Sequence, residues 1–596
     1  MTTGPPTWNL TAWFPKLDSD AYRLAIQELT DALTTYEGQM AHAVPLTVDS
    51  CSRWADHIQQ LESMGDRWRH LRAFVSCLTS ANADDQRARR ESVQVAALGA
   101  RIENAESHVE KALGTASDES FLALMDDPSL SGLTYALNRF RARAARRLEP
   151  ALETLASQLS ISGLHAWGTL YKDITGQLEF PVAGEPKPLA WRRSLMQDPD
   201  TNIRHEAFLR SNEALRTHGE TLATALNAIA DSRIRLQQAR GSSVREEAIW
   251  AEGMSEETLE VMLDAVRSRR HLAQRYLALK AAHLGTPKIH FADIGAPISL
   301  GQADTFSWSE AKTMVLQAFE AYHPELALFA EEMFRKNYIE AEPRRGKRTG
   351  AFCTSSKRHK SSRVFMTFRG ALGDVVTLAH ELGHAYHNAV MADIRGLASR
   401  YPASLAETAS ILCESLVGDF ILADENIDDN IRLQFLDKRL HSATVYMLNI
   451  PMRYEFECAF YDARTAGALG VNDLCALMDK TQKQVYGEVL DPKGTDPLFW
   501  ASKLHFFLTG ISFYNFPYTF GYLFSSGVLA EARRVGPVEF QPRLRALLRQ
   551  TASGSVEDVA RQALGVDLKK PDFWLNAMDK VQGDLNAFEA MMKRSG

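Results

Sequence analysis

The sequence predicts a mainly α-helical protein with a large buried core. Apolar residues recur at i, i+3, i+4 and i+7 over long stretches, which is the period of an amphipathic helix. Strand-like segments are few and short. Of the 596 residues, 45% are hydrophobic and 24% are charged, as in ordinary globular proteins.

The helical pattern divides into two parts along the chain. Residues 20–40, 51–82 and 87–113 are predicted as consecutive helices, and a hairpin with glycine and proline turn signals is predicted within 174–191. Long helices resume at 201–241 and 255–285. We therefore predict an N-terminal helical domain over 1–185 and a second domain over 186–596.

Composition gives expectations about partners and location. The formal net charge of −7 does not indicate the basic surface that is typical of nucleic-acid binding. Six scattered cysteines without CxxC spacing favour free thiols in a reducing compartment, so cytoplasm is the expected location. The uncharged segment 506–530 is diluted by glycine, proline and hydroxyl residues, which favours a buried wall over a membrane span.

The segment TLAHELGHAYH, residues 377–387, has the chemistry of a metal site. His380 and His384 are one helical turn apart on one face, where two imidazoles can bind one ion. Glu381 lies about 100° around the helix, within reach of a metal-bound water. His387 is about 10 Å along the axis from His380, too far to share a tetrahedral ion, and is expected to support the site or to face substrate.

A catalytic zinc ion needs a third protein ligand, and two glutamates downstream are candidates. Glu407 and Glu414 are two turns apart on one face of a second apolar helix. Glu407 could instead close a capping box with Ser404, and Glu414 could pair with a buried arginine. We favour Glu407 as the third ligand and Glu414 as a group that steadies a ligand histidine.

With these residues in place, the chain resembles the oligoendopeptidase F and thimet-oligopeptidase-like family of zinc metallopeptidases. The blocks GKRTGAFCTS, VFMTF, TLAHELGHAYH, AETASILCE and FYNFPYTFGYLF occur in the family's order, from about residue 190 onward. The resemblance implies an elongated helical body split by a deep substrate channel, with a small β-sheet near the zinc-binding helix.

The resemblance also implies substrate-binding residues. The strand around Val364 would lend its edge to the peptide backbone through Phe365, Met366, Thr367 and Phe368, and His387 would face substrate. A late histidine and tyrosines would donate hydrogen bonds to substrate and oxyanion, and the candidates are His505, Tyr514, Tyr518 and Tyr522. Family members often have tyrosines directly behind that histidine, whereas this chain has Phe506 and Phe507 there.

The predicted function is zinc-dependent endopeptidase action on short unfolded oligopeptides. One Zn²⁺ held by His380, His384 and Glu407 would activate its water, with Glu381 as general base. The alternatives are a helical HExxH metallocarboxypeptidase and a non-catalytic peptide-binding scaffold. The sequence predicts no oligomeric state.

Overall fold

The computed structural model describes residues 4–298 and 305–595, and it confirms the mainly α-helical fold. The helices of the first half end near the mid-chain and are, in chain order, α1 Asp20–Ala41, α2 Cys51–Ala81, α3 Gln86–Thr115, α4 Asp118–Met125, α5 Thr134–Ala145, α6 Pro150–Ser160, α7 Ala166–Gln177, α8 Arg192–Leu195, α9 Thr201–Thr217, α10 Gly219–Ala239, α11 Val244–Ala251, α12 Glu256–Arg269 and α13 His271–His283.

The helices of the second half include α16, which carries the HExxH motif of residues 380–384. They are α14 Trp308–Tyr322, α15 Pro324–Arg335, α16 Leu372–Val390, α17 Ala403–Ala406, α18 Thr408–Ala423, α19 Asp429–Thr444, α20 Ile450–Ala466, α21 Val471–Tyr486, α22 Phe499–Ser502, α23 Phe516–Val535, α24 Pro537–Gln550, α25 Val556–Leu564 and α26 Pro571–Ser595. Among the described residues, no helix is both long enough and apolar enough to cross a bilayer.

The described ranges also contain two small sheets. β1 Glu179–Val182 and β2 Glu185–Pro188 form the antiparallel hairpin that the sequence predicts, with Ala183 and Gly184 at positive φ in the turn. The second sheet has the order β3-β5-β4, from β3 Ile339–Glu340, β4 Phe352–Ser356 and β5 Ser361–Phe365. β5 therefore lies in the middle of this sheet.

The chain forms two compact units, each assembled from separate stretches of sequence. Unit 1 consists of Met1–Arg146, Asp304–Asp424 and Glu531–Val566, and unit 2 consists of Arg147–Ala303, Glu425–Ala530 and Asp567–Gly596. The HExxH helix and the β3-β5-β4 sheet belong to unit 1, and the β1-β2 hairpin belongs to unit 2. The division into an N-terminal domain of residues 1–185 and a second domain of residues 186–596 remains a prediction.

The HExxH helix is well anchored within unit 1. Its start is fixed by Asp374, whose Oδ2 accepts hydrogen bonds from the backbone N–H groups of Arg369 (2.7 Å) and Ala371 (3.2 Å). Asp374 lies in the first turn of α16, and the N-cap residue is Ala371. An acidic side chain in this position also interacts favourably with the helix dipole.

Close packing of α16 on α18 brings the motif and the downstream glutamates together. Gly383 of the motif is buried against the α18 backbone, and a Cβ atom there would lie 2.6 Å from both the carbonyl oxygen of Ala409 and the Cα of Ser410. Real Cβ contacts do not reach that distance, so only glycine permits this approach of the two helices.

Candidate functional site

Three predicted ligands converge within unit 1. His380 Nε2 and His384 Nε2 are 3.1 Å apart, and Glu407 Oε2 lies 3.4 Å from each of them. Tetrahedral coordination at about 2.0–2.1 Å places ligand atoms roughly 3.3 Å apart, so this spacing fits a zinc ion. The donor set of two imidazoles and one carboxylate leaves a fourth position for water or substrate.

Two of the three candidate ligands, His380 and Glu407, are each held by a further contact. Glu414 Oε1 lies 2.5 Å from His380 Nδ1, a contact that orients this ring with its Nε2 toward the other two candidate ligands. Ser410 donates a hydrogen bond of 2.7 Å to Glu407 Oε2. Ser410 was not among the predicted residues, although a serine three positions after a glutamate at a helix start is a detectable signal.

Glu407 lies at the break between α17 and α18, as the residue that precedes the first turn of α18. Its carboxylate oxygen faces the two histidines and Ser410. The site geometry therefore favours a ligand position over the capping-box alternative. The alternative for Glu414 was an ion pair with a buried arginine. Its carboxylate instead contacts His380.

Burial and neighbouring charge set the protonation of the motif. Burial raises the pKa of Glu381 to about 7, and the positive charge of His380 only partly opposes this. Burial would lower the pKa of His380, but the hydrogen bond and charge of Glu414, with Glu407, raise it to about 9. Burial lowers the pKa of His384 to about 4.

Glu381 is 4% exposed, and its Oε2 is buried without a hydrogen-bond partner. An unsatisfied buried carboxylate oxygen is costly and marks a position that a water or ligand group would complete. Together with the ligand spacing, it shows that the residues present fit a zinc site of the hydrolytic kind.

The structure contradicts the free strand edge predicted around Val364. β5 pairs with β4 over residues 361–365, and Val364 and Phe365 also pair with Ile339 and Glu340 of β3. The N–H groups of Met366 and Phe368 are bonded to the carbonyls of Glu340 and Ala341.

Phe365, Met366 and Phe368 are also buried side chains, and Thr367 is half-buried. The sequence identified a strand but could not show that it would be the central one, because the pairing order depends on the tertiary fold.

His387 is enclosed in unit 1. It is 0% exposed, its Nε2 lies 3.1 Å from both the Leu548 carbonyl oxygen and Thr551 Oγ1, and its ring stacks on Tyr401. Burial lowers its pKa to about 4, so the ring is neutral near pH 7. This position supports the α16 helix against α24 and provides no surface for direct peptide contact.

The remaining predicted residues lie in unit 2. His505 stacks on Tyr514 (6.1 Å between ring centroids) and meets Tyr518 edge-on at 6.0 Å, while Tyr522 stacks on Tyr446 at 4.6 Å. Burial, with the positive charges of Arg453 and Lys503, lowers the pKa of His505 to about 4. His505 is therefore a neutral imidazole that can donate one N–H, and its catalytic role stays a prediction.

Comparison with known proteins identifies the class to which this fold and motif belong. Residues 194–580 match the profile of Peptidase family M3, and residues 113–180 match that of Oligopeptidase F. Because the M3 match covers more than half of the sequence, the chain belongs to Peptidase family M3.

Individual relatives agree with this assignment. The chain is 25% identical over 407 residues to an oligoendopeptidase F homolog of Lactococcus lactis, covering 67% of this chain and 66% of that protein, just under two thirds of its length. It is 21% identical over 605 residues to oligopeptidase PepF of Bacillus subtilis, covering 99% of this chain and 87% of that protein.

A solved structure shares the fold. The crystal structure of a putative peptidase from Chlamydophila abortus superimposes with a TM-score of 0.82 at 17% sequence identity, covering 98% of each chain.

Proposed function

We propose that this protein is a zinc-dependent endopeptidase that hydrolyses internal bonds of short unfolded oligopeptides. The observation that carries the proposal is the convergence of His380 Nε2, His384 Nε2 and Glu407 Oε2 at separations of 3.1–3.4 Å beside the buried Glu381. Membership of Peptidase family M3 supports peptide bonds as the substrate, and the names of the relatives support oligopeptides.

The three ligands would hold one zinc ion, with Glu414 and Ser410 fixing the orientation of His380 and Glu407. When bound, zinc supplies Lewis-acid activation of a water molecule and of the scissile carbonyl. Glu381 takes a proton from the attacking water and delivers it to the leaving amine nitrogen. Its buried Oε2, which has no hydrogen-bond partner among the described residues, is free to accept that proton.

Substrate backbone would bind to the sheet of unit 1 at β4 instead of β5. β4 is the outer strand of the order β3-β5-β4, so within the described residues one of its edges lacks a strand partner. Main-chain hydrogen bonds to Phe352–Ser356 would bind an extended peptide whatever its side chains, which predicts a loose sequence preference.

The neutral His505 and the tyrosines Tyr514, Tyr518 and Tyr522 are proposed donors to the substrate and the developing oxyanion. A deep channel that admits only unfolded peptides is part of the same proposal. A cytoplasmic location also remains a prediction, for which the six free cysteines provide support.

A mixed peptide pool tests the function directly. We expect internal cuts in short peptides by mass mapping, abolished by chelator and restored by zinc, with a folded protein left intact. Stepwise release of single C-terminal residues would instead identify a carboxypeptidase, and no cleavage with zinc bound would identify a binding scaffold. Glu381→Gln should retain zinc and lose about 10³-fold or more in kcat; near wild-type turnover in the zinc-loaded variant would exclude Glu381 as the base.

A further inference from the structure

Unit 2 contains three cations that lack an acidic counterpart, which we call the cationic cluster: Arg193, Arg453 and Lys503. Two of them flank one aromatic ring, with Arg453 Cζ 5.4 Å and Lys503 Nζ 4.7 Å from the centroid of Phe499. Arg453 and Lys503 are half-buried, and Arg193 is exposed. The positive charge of Arg193 acts on both of the others.

No carboxylate among the described residues forms an ion pair with a member of the cationic cluster, and the buried Nε of Arg453 has no hydrogen-bond partner. The acidic group that acts on Lys503 is Asp496. That carboxylate is fully buried and already accepts hydrogen bonds from Arg192 (2.7 Å) and Asn212 (3.0 Å). The cluster therefore keeps its positive charge uncompensated within unit 2.

Such an arrangement is unfavourable for folding. Burial lowers the pKa of Arg453 to about 10, with the charge of Arg193 adding to the effect, and burial with the neighbouring arginines lowers the pKa of Lys503 well below its usual value. Cation–π contact with Phe499 recovers only part of the lost hydration. Half-buried like charges without a counterion are typical of a site that receives an anion.

The chemistry of the cluster suits an oxyanion such as a carboxylate. A guanidinium binds a carboxylate through two parallel N–H donors, and the Arg453 guanidinium lies beside the Phe499 ring without an ion-pair partner among the described residues. Lys503 adds a second point of positive charge beside the same ring, and the neighbouring His505 is neutral.

We propose that Arg453 and Lys503, assisted by Arg193, bind a carboxylate of the peptide substrate, either its C-terminus or an Asp or Glu side chain. The identification of the ligand as a peptide rests on the proposed function.

Peptide binding to the Glu381→Gln variant, which should not turn substrate over, separates the two sources. Four labelled peptides of one sequence are compared by anisotropy: free acid or C-terminal amide, each with an internal Glu or Gln. If the C-terminal carboxylate is recognised, the amide should bind about tenfold more weakly than the free acid, and if the side chain is recognised, the Gln peptide should bind about tenfold more weakly than the Glu peptide. This is the size of effect expected for a lost charge-assisted hydrogen bond.

Lys503→Met and Arg453→Gln, each checked for folding by thermal unfolding, should remove that difference. The exposed control Lys480→Met should keep it. Equal binding of all four peptides, or an undiminished difference in both cluster variants, overturns the proposal.

A second measurement does not depend on peptidase activity. Mild acylation near pH 8, followed by mass spectrometry, should modify Lys503, and succinate should slow the modification of Lys503 without changing that of the exposed Lys480. If succinate protects Lys503 but the protein cleaves no peptide, the anion site is supported and the proposed function is refuted. Cleavage without protection, or an unreactive Lys503, would refute the site and leave the function.

Discussion

The contact of α16 with α18 provides the sharpest prediction, because the substitution Gly383→Ala changes no ligand. The new Cβ would lie 2.6 Å from the Ala409 carbonyl oxygen and from Ser410 Cα, whereas ordinary contact begins near 3.4 Å. Relief requires the helices to separate by about 0.8 Å, the difference between these two distances. α18 begins directly after Glu407 and carries Ser410 and Glu414, so all three would move relative to His380 and His384.

A shift of that size exceeds the tolerance of about 0.2 Å for metal–ligand distances. We expect zinc affinity to fall about 10- to 100-fold, as for lost supporting contacts, and the metal-free protein to lose about 1–3 kcal/mol of unfolding free energy from overpacking. Zinc affinity is measured by competition with a chromophoric chelator, and stability by urea unfolding in EDTA.

Gly38→Ala is the matched control for this experiment. Gly38 lies in α1 of the same unit, exposed and with no neighbouring atom within 4 Å of a Cβ. There the higher helix propensity of alanine should stabilise the protein by up to about 1 kcal/mol without changing zinc affinity. If Gly383→Ala gives the same result as Gly38→Ala, the close approach does not control the metal site and the reasoning is refuted.

Three further predictions each concern one residue: Glu414, Ser410 and Glu457. Glu414→Gln should weaken zinc binding about 10- to 100-fold because the His380 ring loses its charged partner, and unchanged affinity in the chelator competition would contradict this role. Ser410→Ala, which removes the donor to Glu407 Oε2, should lower affinity by up to about tenfold in the same assay, and Ser415→Ala provides a serine control on the same helix. Burial raises the pKa of Glu457 in unit 2 to about 7, so the folded state binds the extra proton and stability falls as the pH rises from about 4.5 to 7, by up to about 3 kcal/mol. Urea unfolding of Glu457→Gln over that range should show a decline smaller by this amount, because Glu381 still contributes its own, and parallel pH profiles of the two proteins would count against the prediction.

Local features of the site were predictable because they depend on residues close in sequence. The helical period of TLAHELGHAYH determines that His380 and His384 share a face, and Gly184 with its neighbours marks the β1-β2 hairpin. The segment around Val364 forms a strand, β5 Ser361–Phe365, as the family resemblance implies. Its central place in the sheet was not predictable, because β3 and β4 could pair with either edge.

Sequence alone therefore determined the mainly α-helical class, the HExxH helix and the short set of glutamates that could complete a metal site. Those features follow from side-chain periodicity and ligand chemistry, which act over a few residues. Only the tertiary structure decided that α18 approaches α16 at Gly383, that Ser410 supports Glu407, that His387 is enclosed, and that β4 is an outer strand of its sheet. These outcomes depend on which distant segments pack together, and packing is decided by the shape and burial of the whole unit.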